Sequence, residues 1–142
     1  MSTDFFFEPG SLFKECVDDL RAKILTLEQS KNMAAEFKTM FPITSWGKID
    51  WEKINKKRHI GHEPANIISS LKKLLKTNDF DTGVYVYWST GGLHIIESNL
   101  ETIVNNFASV NCVAFEKFIF NPTLGYIVEI RPGGDTTVGV VD

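Results

Sequence analysis

The sequence predicts an α+β fold: a mostly antiparallel sheet with helices packed on one face. Three observations predict it. Apolar residues recur at three- and four-residue steps over 11–29 and 63–77. Runs rich in β-branched and aromatic residues occupy 84–89, 111–120, 125–131 and 135–141. The last three runs are joined by short turns, which favour an antiparallel meander.

Along the chain, Leu12, Cys16, Val17, Leu20, Ile24 and Leu27 form the apolar stripe of a helix over 11–29, with Asp18, Asp19, Arg21, Lys23 and Glu28 opposite. A second helical piece is expected at 31–40, with Ala34, Phe37 and Met40 or Phe41 inward, ended by Pro42. Residues 43–60 read two ways. Ile49, Trp51 and Ile54 could alternate on a short strand, or Ile43 and Trp46 could pack in a loop. The helix over 63–77 has Pro64 at its first position, where a missing N–H is harmless. Ile67, Ile68, Leu71, Leu74 and Leu75 are its stripe, and Lys72, Lys73 and Lys76 suit its C-terminal dipole.

TNDFDTG (77–83) is a turn cluster before the strand VYVYWS (84–89). STGG (89–92) breaks that strand, and LHIIE (93–97) can pair back as a hairpin. Ser98 and Glu101 have the spacing of a capping box for a helix to about 108, with Leu100, Ile103, Val104 and Phe107 buried. Asn121-Pro122 with Gly125, and Pro132 with Gly133-Gly134, supply the turns between the last strands.

The 142 residues read as a single domain over 1–142. A chain of this length buries roughly two-thirds of its unfolded surface and needs no staples. It is 43% hydrophobic and 23% charged, with a formal net charge of -3. That balance weighs against general nucleic-acid binding, which needs a positive field. Eleven phenylalanines point to a well-filled core or an apolar contact surface. Cys16 and Cys112 lack a CxxC spacing and read as buried free thiols. No apolar run is long enough for a membrane span. The start MSTDFFFEPG lacks the basic n-region and long h-region of a signal peptide, so the expected location is the cytoplasm.

The segment WGKIDWEKINKKRHIGHE (46–63) concentrates chemistry. His59, His62 and Glu63 look like half a zinc site and carry the reading of a small metal-dependent hydrolase. The histidines are three apart rather than four, and His94 is more than thirty residues away. A zinc ion needs three or four ligands, so no metal or cofactor is expected. Trp46 and Trp51 with Lys53, Lys56, Lys57 and Arg58 resemble a base-stacking platform with phosphate anchors. Asp50 and Glu52 interrupt it, and no basic track continues elsewhere, so an accessory nucleic-acid-binding domain is the weaker reading. The tryptophans belong either to the core or to a protein interface. Neither STGGLH nor RPGGDTTVG leads into a helix with the Lys-Ser/Thr of a phosphate loop. No Ser or Cys sits in a nucleophile elbow, Ser89 near His94 being the closest candidate. The chain is expected not to be an enzyme.

What remains is acid and aromatic side chains suited to a partner: Trp46, Asp50, Trp51, Glu52, Asp79, Phe80, Asp81, Tyr85 and Tyr87. Tyr85 and Tyr87 share one sheet face, which is either open or covered by a helix.

WGKIDW, the helix after HEPANIISSL, the strand VYVYWS with TGG, and the ending FEKFIFNPTLGYIVEI with RPGGDTTVG resemble the small immunity proteins of bacterial contact-dependent growth inhibition systems. The resemblance covers about residues 42–140. It implies a cytoplasmic protein encoded beside a large secreted toxin, which binds and neutralises the toxin's C-terminal domain, frequently a nuclease. It implies that cognate toxin as partner, and no nucleic acid, membrane or small-molecule substrate. It carries over no catalytic or contact residue. A nuclease groove must hold phosphates and is therefore basic. Acidic side chains here could fill or block it, and complementary charge would speed encounter.

Overall fold

The computed structural model describes residues 11–88, 92–114 and 116–141. Strands β1 (Lys23–Ile24), β2 (Lys56–Gly61), β3 (Val84–Trp88), β4 (Ile96–Ser98), β5 (Lys117–Asn121), β6 (Tyr126–Ile130) and β7 (Thr136–Val140) form one sheet. Their order is β1-β4-β3-β5-β6-β7-β2, and every pairing is antiparallel. The helices are α1 (Ser11–Leu20), α2 (Leu27–Met40), α3 (Ala65–Leu75), α4 (Leu100–Asn105) and α5 (Phe107–Val113). The expected α+β class, antiparallel sheet and terminal meander are all present.

The period-two alternation of a strand sorts the core into two clusters. Val84, Val86 and Trp88 of β3, Ile119 of β5, Tyr126, Val128 and Ile130 of β6, and Val138 and Val140 of β7 face α1, α3, α4 and α5. Phe118, Phe120 and Ile127 face the other way, against Phe37 of α2, Phe41, Ile49 and Ile54. Four helices thus share one face, as the sequence suggests, and α2 with the segment after it covers part of the other. The central strands β5 and β6 are buried along their whole length, which explains their nearly unbroken apolar runs.

Several elements depart from the sequence reading. The helix expected over 11–29 ends at Leu20, where Arg21 takes a left-handed φ of 50°. Ala22 N–H bonds back to the Val17 carbonyl at 3.0 Å, closing the helix. Lys23 and Ile24 then pair with β4. Thr26 starts α2 with a reciprocal capping box: Gln29 N–H donates to Thr26 Oγ1 at 3.0 Å, and Thr26 N–H to Gln29 Oε1 at 2.9 Å. Because one continuous helix does not form, Ile24 and Leu27 are left about half exposed; Leu12, in the first turn of α1, is about as exposed.

The cap of α4 is Asn99 rather than Ser98; its side chain accepts from Thr102 N–H at 2.8 Å, while Ser98 Oγ donates to the Leu20 carbonyl. The strand expected from 111 begins only at Lys117, because 107–113 are helical. The last carbonyls of α5 find donors in tertiary structure. Trp88 Nε1–H bonds the Val110 carbonyl, and the buried Lys117 ammonium bonds those of Asn111 and Ala114. Burial holds the Lys117 ammonium below the usual lysine range. Cys16 is buried as expected, but Cys112 lies exposed on α5.

Candidate functional site

Pro42 ends α2 and opens a compact excursion that returns to the sheet. Asp50 N–H donates to the Pro42 carbonyl at 2.8 Å, and Ile43 bridges Ile49 in antiparallel fashion. Inside this frame Thr44 N–H bonds the Lys48 carbonyl at 2.7 Å, Lys48 N–H bonds Thr44 Oγ1, and Gly47 N–H bonds the Thr44 carbonyl. Gly47 sits at φ +86°, a conformation that only glycine adopts without strain. The turn therefore presents Trp46 at its tip, 75% exposed and the most exposed large apolar side chain among the described residues. An ion pair between Lys48 and Glu116 ties the turn to the start of β5.

Trp51 has the opposite fate. Its indole Nε1–H donates to Glu129 Oε1 at 2.8 Å, and the ring lies over Gly139, where an added Cβ would meet Trp51 Cζ3 at 2.7 Å. Glu129 is buried and is balanced by Arg131 at 3.3 Å. Arg131 reaches Asp135 at 3.0 Å, and Asp135 Oδ1 lies 2.7 Å from His59 Nε2. The hydrogen bond and charge of His59, with Arg131, hold the Asp135 carboxyl below its ordinary range. Glu129, Thr137 and His59 are in register across β6, β7 and β2, so this network belongs to the sheet.

Tyr85 and Tyr87 do share a face, and α2 partly covers it. The Tyr87 ring lies 5.4 Å from Phe37, and Tyr85 lies 5.8 Å from Phe120. Burial raises both phenol pKa values, and for Tyr85 the carboxylates of Glu97 and Glu36 add to it. Asp50 pairs with Lys53 at 3.8 Å, and Glu52 is exposed.

The remaining predicted residues fall elsewhere. Phe80 is buried in the cluster beneath the four helices, which removes it as a surface anchor. Its carbonyl accepts from the Tyr126 hydroxyl at 2.8 Å. Asp81 Oδ1 accepts from Glu101 N–H at 2.8 Å at the start of α4. Asp79 is exposed in the same turn. The predicted residues thus divide into a group around Trp46 and Trp51 and a group at α4.

The hydrolase reading loses its geometry here. His59 lies on β2 and faces Asp135, while His62 lies beyond the strand's end. No group of three or more His, Cys, Asp or Glu among the described residues could hold a metal ion. The stacking platform is not assembled either, since Trp51 packs on the sheet and only Trp46 projects. STGG lies largely at 89–91, outside the described residues.

A family model for CdiI immunity proteins, EcoliA0-like, matches residues 10–139. The chain belongs to that family. No curated protein matches it.

In this immunity protein, no helix among the described residues is long and apolar enough to cross a membrane. The sequence reading missed Phe37, Lys38, Ile43, Gly47 and Phe118, which with Tyr87 and Glu116 line a cavity of about 230 Å³ beside Trp46. Only the dipeptide Trp46-Gly47 hinted at it, as an exposed aromatic followed by a turn residue. Apart from Ile43 of the same turn, the lining residues come from α2, β3 and the start of β5, whose proximity no local spacing encodes.

Proposed function

We propose that this immunity protein binds the C-terminal toxin domain of its cognate contact-dependent growth inhibition system in the cytoplasm and neutralises it without chemistry of its own. Membership of the immunity family carries the reading. The toxin is a nuclease in this proposal, and the contact face is the one bearing Trp46, Asp50, Trp51, Glu52, Tyr85 and Tyr87. Trp46 supports that choice, because a rigid exposed tryptophan loses little entropy on burial and tryptophan is enriched at interface hot spots. Glu52, exposed on the segment that follows the turn, offers a carboxylate to a phosphate-binding groove. Trp51 acts from beneath by fixing the segment that follows the Trp46 turn.

Co-expression with the toxin domain encoded immediately upstream tests this. The expected result is a stable complex on co-purification and survival of cells that the toxin alone kills. Absence of a complex, with killing undiminished, overturns the proposal.

A further inference from the structure

We propose that the cavity beside the Trp46 turn is a socket for one apolar side chain of the toxin, whose neighbouring residue is acidic and pairs with Lys38. This rests on the immunity reading and adds the chemistry of the contact. The floor is aromatic: Phe37 lies 5.0 Å from Phe118 and 5.4 Å from Tyr87, centroid to centroid. Ile43 and Gly47 of the turn form a wall, and Lys38 and Glu116 stand at the mouth.

Size selects the occupant. The volume is about 230 Å³, below the roughly 300–1,000 Å³ of small-molecule clefts. One aromatic or branched aliphatic side chain fills such a space, and an apolar anchor in a pocket is the usual form of a binding hot spot. Charge selects its neighbour. Glu116 is already engaged by Lys48, whereas Lys38 makes no ion pair among the described residues. The open charge at the mouth is therefore positive. The Tyr87 hydroxyl also has no hydrogen-bond partner among them, which leaves one polar group to orient the guest. The projecting tip of a second copy does not satisfy this chemistry, because Thr44, Ser45, Gly47 and Lys48 around Trp46 include no carboxylate.

Calorimetric titration of the whole chain with the upstream-encoded toxin domain, at low and raised salt, tests the socket. Lys38→Glu is expected to weaken binding about tenfold or more and to flatten its salt dependence. Ile43→Phe, which narrows the cavity, is expected to weaken it by a similar factor. Lys72→Glu, on α3 beneath the other sheet face, is the control and leaves affinity within about twofold. Should Ile43→Phe fail to fold, the exposed Lys38→Glu decides alone. Tight wild-type binding unaffected by either variant overturns the socket and leaves the immunity reading standing. No wild-type binding removes both. Self-association abolished by Trp46→Ala, with toxin affinity unchanged, assigns the cavity to a second copy and overturns the proposal.

Discussion

Trp51 Nε1–H donates to Glu129 Oε1 at 2.8 Å across 78 residues of sequence. This bond fastens the irregular segment between α2 and β2 to the middle of the sheet. A buried carboxylate needs partners, and Glu129 has the indole, the Ile49 amide at 3.5 Å and the Arg131 guanidinium. Trp51→Phe keeps most of the ring and deletes the donor. Urea unfolding should show a loss of about 1.5–3 kcal/mol, the range for a hydrogen bond to a charged group. A loss below about 0.5 kcal/mol would show that Arg131 alone satisfies Glu129.

Gly139 is the second half of this attachment. Its φ is not positive, so its role is space: an added Cβ lies 2.7 Å from Trp51 Cζ3 and 3.2 Å from both Ile54 Cγ2 and the Lys56 carbonyl. Glycine inside a strand ordinarily weakens it, so alanine would stabilise if the space were free. Gly139→Ala is instead expected to lower stability by about 1–3 kcal/mol through overpacking. The accompanying signature is a red shift of tryptophan fluorescence as the ring lifts from the sheet.

Trp46→Ala separates binding from folding. The side chain is 75% exposed, and the backbone of the turn holds itself together. Its thermal midpoint should stay near wild type, while toxin affinity falls by about 2 kcal/mol or more. An unchanged affinity would move the contact face away from this turn.

The two thiols should react differently. Burial, with the charge of Asp19 as a smaller contribution, pushes the Cys16 thiol up to about 12. Thiolate is the reactive form, so native protein in mildly alkaline buffer should take up one equivalent of a thiol reagent, at Cys112. A second equivalent should appear only on denaturation. Rapid labelling of both in the native state would contradict the packing of α1.

The His59–Asp135 contact predicts an acid-side dependence. The carboxyl is held below its ordinary value of 3.8 by His59 and Arg131. A depressed folded pKa adds stability that is fully present above the unfolded value and is lost as pH falls through the folded one. Asp135→Asn should therefore lower the melting temperature near neutral pH, and the gap to wild type should close as pH drops below 3.8. A gap constant across that window would mean the pair contributes no pH-dependent stability.

The legible parts of the fold are those whose burial is regular. The stripe Ile67, Leu71 and Leu74 announces α3, and the alternation of Val84, Val86 and Trp88 announces β3, because one side of each element must be apolar. Strand β2 was ambiguous for the converse reason. It is an edge strand whose residues Lys56 to His59 are all exposed, so no face carries an apolar signal, and its lysines are the kind that protect an edge from further pairing. The T-x-x-Q box of Thr26 and Gln29 was readable as a helix start, but the longer apolar periodicity through Ile24 and Leu27 masked it. Residues 111–113 read as the start of a strand because Val113 and the apolar run after it favour one locally; Trp88 and Lys117, distant donors to the carbonyls, make the helix end tenable.

By itself, then, the sequence determined the α+β class, the antiparallel meander, the acid and aromatic candidates and the resemblance to immunity proteins, since these rest on composition, period and order. Tertiary structure decided which tryptophan faces outward. Trp46 and Trp51 are five residues apart, in similar company. One finds the bare backbone of Gly139 and a buried carboxylate within reach, and the other tips a self-bonded turn and stays 75% exposed. The socket beside Trp46 was decided in the same way, because its walls come from elements that only the packing of α2 against β3 and β5 brings together.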